Sequence, residues 1–165
     1  MKIYTIGRTQ FLPIDLQEAW SFFSSPKNLN VITPPEMNFK ILSISGGTKM
    51  HAGQIIKYKV NIFPLVPTTW VTEITHVSEP TSFVDEQIKG PYSLWRHQHH
   101  FKEVNGGVEI SDTVDYAIPL GILGQLANAI FVSKELDTIF DFRYKKLESI
   151  FLRGKQVEST NHINR

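Results

Sequence analysis

Residues 93–118 read SLWRHQHHFKEVNGGVEISDTVDYAI, and the fold turns on how they are read. Two runs of alternating character flank Asn105-Gly106, the strongest short hairpin signal a sequence offers. Successive side chains on a strand point to opposite faces. Trp95, His97, His99 and Phe101 therefore share one face, and Arg96, Gln98, His100 and Lys102 the other. In the second run Val108, Ile110, Asp112, Val114, Tyr116 and Ile118 share a face, with Glu109, Ser111, Thr113 and Asp115 behind them. The apolar members mark the first face of each run as interior. Asp112 is then the one charged residue in an otherwise apolar row.

A two-residue loop fixes the register. Val104 faces Gly107, and counting outward Phe101 faces Ile110, His99 faces Asp112, His97 faces Val114 and Trp95 faces Tyr116. Directly opposed residues have Cβ atoms roughly 4.5–5.5 Å apart. A buried carboxylate is costly unless paired, and His99 is the partner the register supplies. A one-residue bulge would turn every side chain to the other face and dissolve the pair.

Upstream, the same strand signal recurs. Residues 54–63 alternate Ile56, Tyr58, Val60 and Ile62 against Lys57, Lys59 and Asn61, the pattern of a half-buried antiparallel strand. Further strands are predicted over 2–12, 39–44, 69–77 and 82–88, with Gly46-Gly47, Pro64 to Pro67, Glu79-Pro80 and Gly90-Pro91 as turns. Asp15 followed by Glu18 is a capping box that opens a short helix carrying Leu16, Ala19, Trp20 and Phe23. Ser25-Pro26 opens a second short helix, ended by Thr33-Pro34-Pro35. Downstream, Leu136, Phe140, Arg143, Leu147, Ile150 and Phe151 recur at three and four, with Leu123, Leu126, Ala127, Ile130 and Phe131 as an upstream continuation. One helix is predicted from about Ile122 to Arg153, with a bend at Ser133-Lys134 where the stripe loses phase. The class is α+β: a seven-stranded curved antiparallel sheet, two short helices and one long C-terminal helix around a cavity.

Composition sets the outer limits. The 165 residues suit one domain over 1–153 with a polar tail over 154–165, and 41% hydrophobic residues can bury a core. Seventeen basic residues against sixteen acidic ones give no footprint for nucleic acid or an anionic membrane. Cysteine is absent, which excludes disulfides, thiolate catalysis and thiolate-bound zinc. The N-terminal stretch lacks an apolar signal core, and no apolar run is long enough to insert in a membrane, so a cytoplasmic protein is expected.

The His99–Asp112 pair suits four roles. It can be a satisfied polar pair in a core. It can be the polar anchor of a ligand cavity. It can be an acid–base dyad, the only catalytic assignment these residues support. With His97 it can be a metal site, Asp112 being the third ligand. Trp95 and Phe101 on the same face speak for a lined pocket over a metal, so neither a metal nor a cofactor is expected. Trp70 and Ile74 look inward as pocket or core fillers. Asp85 and Glu86 are neighbours in sequence and point to opposite faces; one of them is expected to reach Arg96 or His97 as a surface salt bridge. Arg143, on the helix's apolar stripe, is either half of a buried ion pair or reaches outward to water.

Together these strings resemble a known family. Phe83-Val84-Asp85-Glu86-Gln87, Gly90-Pro91-Tyr92, Trp95-x-His97-x-His99-x-Phe101, Asp112-x-Val114-Asp115-Tyr116-x-x-Pro119 and Phe140-Asp141-Phe142-Arg143 are similar to a bacterial ligand-binding branch of the START-like (SRPBCC) superfamily. That branch is related to polyketide cyclase/dehydrase and lipid-transport proteins, and the superfamily includes pollen allergens. The resemblance covers about Ile3 to Leu152. It implies the helix-grip fold and a cavity, and it implies an epimerase-like partner, since similar domains occur fused to one. It does not imply an activity, because one fold hosts many functions.

The function expected is binding, carriage or sensing of a small hydrophobic molecule such as a lipid, polyketide or isoprenoid. Trp95, Phe101, Val114, Tyr116, Trp70 and Tyr58 would form the apolar wall, with His97, His99 and Asp112 as polar anchors. One rival is a cyclase or dehydratase in which His99 moves a proton and Asp112 holds its tautomer. The other is a protein-interaction module, which would show a large exposed apolar patch.

Overall fold

A computed structural model describes residues 1–63 and 66–161 of the chain. Seven strands run β1 (Tyr4–Leu12), β2 (Lys40–Ile44), β3 (Gln54–Phe63), β4 (Val66–Ser78), β5 (Ser82–Lys89), β6 (Leu94–Val104) and β7 (Gly107–Ala117). They form one sheet in the order β1-β7-β6-β5-β4-β3-β2, antiparallel throughout. The six strands β2 to β7, consecutive in sequence, thus lie side by side, and β1 closes the far edge against β7. This is what tight turns between alternating runs dictate.

The β6–β7 register is the one the Asn105-Gly106 turn predicts: Val104 pairs with Gly107, His99 with Asp112, and Trp95 with Tyr116. Gly106 sits at φ 83°, a conformation that suits a residue without Cβ. The inner face of β7 is buried at every second residue, with Val108 and Val114 fully enclosed.

Between β1 and β2 lie α1 (Leu16–Phe23), α2 (Pro26–Leu29) and a 3-10 turn over Pro35–Met37. Asp15 caps α1 by accepting a hydrogen bond from the Glu18 amide at 2.7 Å. Trp20, on the buried stripe of α1, meets Phe83 and Phe101 edge-on, both at 6.0 Å. Asp15→Ala leaves that amide unpaired and is expected to cost about 1 kcal/mol in a urea melt, with an unchanged slope.

The strand edges differ from the sequence reading at β4, which starts at Val66 with Pro67 opposite Asn61. Pro67 is therefore in a strand and not a turn; Pro64 lies outside the described residues.

The long helix is the larger correction. The chain forms α3 (Gly121–Ala127), a π-helical turn over Asn128–Val132, and α4 (Ser133–Asn161). The wider π turn holds an extra residue, so the apolar stripe changes phase there. Leu136, Phe140, Arg143, Leu147 and Phe151 of α4 are buried against the sheet as predicted. Leu123, Leu126, Ile130 and Phe131 are not, being 53–70% exposed. On α3 the buried residue is Gly124, where a Cβ would fall 2.0 Å from the Pro119 carbonyl oxygen. The helix also continues past Arg153 to Asn161, through most of the stretch read as a tail. Gln10 of β1 donates to the Tyr144 carbonyl at 3.0 Å, and Arg8 pairs with Asp137, so α4 is tied to the β1 edge. Among the described residues no helix is long and apolar enough to cross a membrane.

Candidate functional site

Sheet, α2 and α4 enclose a cavity of about 170 Å³. Alternation puts Ile56, Tyr58, Val60 and Ile62 of β3 and Trp70, Thr72 and Ile74 of β4 on its floor. Leu136, Ile139 and Phe140 of α4 cover it. One corner is aromatic: Trp70 stands edge-on to Trp95 at 5.1 Å, Tyr92 tilts over Trp95 at 4.9 Å, and Tyr58 stacks on Trp70 at 5.9 Å. Tyr92 is held there by Gln87, whose amide donates to the Tyr92 carbonyl at 2.7 Å and accepts from its N–H at 3.3 Å.

The polar corner is built from β5, β6 and β7. Register sets Asp85 opposite His97 and Asp112 opposite His99. The two imidazoles lie 3.8 Å apart and are flanked by a carboxylate on each side. His97 donates from Nε2 to Asp112 Oδ1 at 3.1 Å, and His99 donates from Nε2 to Asp85 Oδ2 at 3.2 Å. His99 Nδ1 lies 2.7 Å from Asp112 Oδ1, an ion-pair contact bent away from a linear hydrogen bond. His97 Nδ1 is 3.8 Å from Asp85 Oδ2. Arg143 reaches down from α4, its Nη1 3.7 Å from Asp112 Oδ2 and its guanidinium over the Phe140 ring. It is the buried ion pair and not the outward-reaching side chain.

These contacts push the titrations apart. Burial and the neighbouring His99 charge lower the pKa of His97, and the two carboxylates do not compensate. Burial works against His99 too, but the Asp112 charge and hydrogen bonds to both carboxylates outweigh it and raise its pKa. Burial alone would raise Asp112; the His99 charge and the hydrogen bonds from both histidines hold it well below the usual carboxylate range. Asp112 thus sits between the two histidine rings and the Arg143 guanidinium.

Each of these shifts makes folding stability depend on pH. The His99 contribution to stability is whole below its ordinary value of 6.5 and is lost as pH rises through the raised folded value. The His97 contribution is present above 6.5 and is lost as pH falls through its lowered value. That of Asp112 is present above 3.8 and fades as pH falls through its depressed value. In chelator-treated protein, Asp112→Asn is expected to lower the His99 pKa, read by NMR titration of the ring, while Asp115→Asn leaves it in place. Superimposable curves for wild type and Asp112→Asn would contradict the coupling.

Of the residues singled out from sequence, Tyr58, Trp70, Trp95, His97 and His99 line the cavity. Phe101 does not; it packs among Trp20, Phe23 and Phe83 in the main core. Val114 and Tyr116 belong to a second apolar cluster under α4 with Val132, Leu136 and Phe140. Asp112 stands behind the histidines and not on the cavity wall. The reading of Asp85 and Glu86 resolves both ways. Glu86 makes the surface salt bridge with Arg96 at 3.4 Å, while Asp85 turns inward. Asp85, expected from sequence only as one candidate for a salt bridge, takes a place in the polar corner that the sequence reading did not assign to it. Its signal was present, since it alternates with Phe83 on the inner face of β5.

No protein-family model matches the chain, and no curated protein matches it by sequence. Solved structures do match by shape. The Ara h 8.0201 structure aligns with TM-score 0.62 at 14% identity, over 92% of this chain and 99% of that one. Protein Ms6760 from Mycobacterium smegmatis aligns with TM-score 0.65 at 15% identity, over 93% and 98% of the two chains. Major latex-like protein 151 from Panax ginseng aligns with TM-score 0.64 at 11% identity, over 91% and 98%. Seven antiparallel strands curved round a C-terminal helix, matched by these structures over most of the chain, give this protein the helix-grip fold.

Proposed function

We propose that the protein binds a small, mainly apolar molecule in the cavity between sheet and α4. The observation that carries this reading is the cavity's two-part wall: an aliphatic and aromatic lining with one polar corner of Asp85, His97, His99 and Arg143. A volume of about 170 Å³ is close to that of an engineered void that holds benzene, roughly 150 Å³. It suits a molecule of one or two rings or a short isoprenoid, and it is too small for a two-chain lipid. Two buried donors, Trp70 Nε1 and Arg143 Nε, have no protein partner, and both residues line the cavity. An oxygen on the ligand would satisfy either.

Trp70 and Trp95 make the test direct, because both report on the cavity by fluorescence. Ring compounds carrying one polar oxygen are expected to raise the melting temperature and to shift tryptophan emission together. At a ligand concentration about a hundred times Kd the stabilisation is about 2.7 kcal/mol. No shift in either signal across a broad set of such compounds would reject the reading.

A second reading, catalysis of cyclisation or dehydration, is favoured by His97 and His99 both reaching the cavity with Asp112 fixing their orientation. Turnover of a bound compound, lost in His99→Gln while binding persists, would separate it from carriage. The exposed apolar stretch of Leu123, Leu126, Ile130 and Phe131 is the feature an interaction module would show, and it coexists with the cavity.

A further inference from the structure

We infer that Asp85, His97 and His99 form a binding site for one divalent transition-metal ion, of the zinc or ferrous type, on the cavity wall. One ligating atom from each residue lies within 4.8 Å of the other two. Two of these separations are known in detail: His99 Nε2 to Asp85 Oδ2 is 3.2 Å, and His97 Nδ1 to Asp85 Oδ2 is 3.8 Å. Ligand atoms around a tetrahedral zinc are roughly 3.3 Å apart, as bond lengths near 2.0–2.1 Å require. The two separations to Asp85 lie on either side of that spacing.

The second observation is behind the ligands. Metal-bound histidines almost always give their far N–H to a carboxylate or carbonyl, which fixes the tautomer and aims the lone pair. Here Asp112 Oδ1 lies 3.1 Å from His97 Nε2 and 2.7 Å from His99 Nδ1, the far nitrogen in each case. Asp112 is itself held by Arg143. With the Nε2 proton of His97 engaged by Asp112, its Nδ1 presents a bare lone pair toward the Asp85 carboxylate. Two acceptors facing each other at that distance repel, and a cation between them turns the repulsion into attraction. The metal alternative weighed from sequence took Asp112 as the third ligand; the geometry places Asp85 there and makes Asp112 a positioning residue.

Two histidines and one carboxylate leave coordination positions open, and all three ligands line the cavity, so the open side faces the bound molecule. The ion brings a double positive charge to the cluster. Two carboxylates and one guanidinium then leave one net positive charge, which an anionic oxygen on the ligand would balance. The site therefore takes a carboxylate, phenolate or enolate at the polar end of an apolar body. That ligand class rests on the cavity reading above; the metal site itself does not.

The test uses zinc alone, with no organic ligand. Protein stripped with chelator is titrated with Zn²⁺ by calorimetry, and Co²⁺ loading is followed by visible ligand-field absorption. One ion per chain is expected. Asp85→Asn and His97→Gln should each weaken it more than about 100-fold. Asp112→Asn should weaken it about 10–100-fold while keeping one ion per chain. Replacing the exposed histidines His51, His76 and His100 together by Gln should change nothing. Asp85 is only partly buried, so Asp85→Asn is the variant that keeps its fold, confirmed by near-ultraviolet circular dichroism of the tryptophan corner. Absence of a saturable single site, wild-type affinity in Asp85→Asn, or loss of binding with the three surface histidines would each overturn the assignment.

Discussion

Asp112→Ala is expected to remove about 3–5 kcal/mol of folding stability in metal-free protein. The side chain is buried, contacts both histidines and lies beside Arg143. Truncation leaves the buried Arg143 guanidinium, which lies over the Phe140 ring, without the carboxylate it pairs with. It also leaves the His97 donor unpaired. Burial then works on His99 with only Asp85 to oppose it, so the ring loses its proton more readily. The natural control is Asp115, three residues on and on the opposite face of β7, whose carboxylate accepts from Thr5 at 2.6 Å. Asp115→Asn should cost less than about 1 kcal/mol. Chemical denaturation of both variants checks this, and equal losses would mean that the cluster is not the polar keystone of the inner face.

Ile139→Trp is expected to weaken ligand binding more than 100-fold while the protein stays folded. Ile139 projects from α4 into the cavity and touches both apolar clusters. An indole there fills space the ligand needs. Overpacking a tight core costs about 1–3 kcal/mol, but this side chain is only half-buried and faces a void, so the loss should sit at the low end. Trp95→Ala works in the opposite sense. It enlarges the void and removes the ring that Trp70 and Tyr92 pack against, so ring-shaped ligands should bind more weakly without being excluded. Titration of both variants by calorimetry, beside denaturation midpoints, distinguishes a lost cavity from a lost fold. Undiminished affinity in Ile139→Trp would place the ligand elsewhere.

The sheet was legible from sequence because its information is local. Period-two alternation assigns faces, and Asn105-Gly106 sets a register from which His99–Asp112 follows by counting. The helix was less legible. A stripe at three and four shows that a face is apolar but not that it is covered, and the π turn over Asn128–Val132 moved Leu123, Leu126 and Phe131 to the outside. The signal for that break was the phase loss near Ser133, read as a bend in one helix and found to be an inserted residue. The place of Asp85 in the polar corner was not legible because it depends on the β5–β6 register, which no short turn fixes: the Gly90–Pro91 connection is longer, and pairing stops at Glu86–Arg96. Phe101, Val114 and Tyr116 do face inward, yet a face is shared between core and cavity. Only the helix above decides which residues it covers.

Whether the cavity binds a small molecule is measured most directly by native mass spectrometry of protein purified gently from its own host. The expected spectrum shows the chain with the added mass of one small molecule, lost under denaturing conditions and absent from Ile139→Trp. The bare chain mass in both proteins, with no adduct after soaking in oxygen-bearing ring compounds, would contradict it.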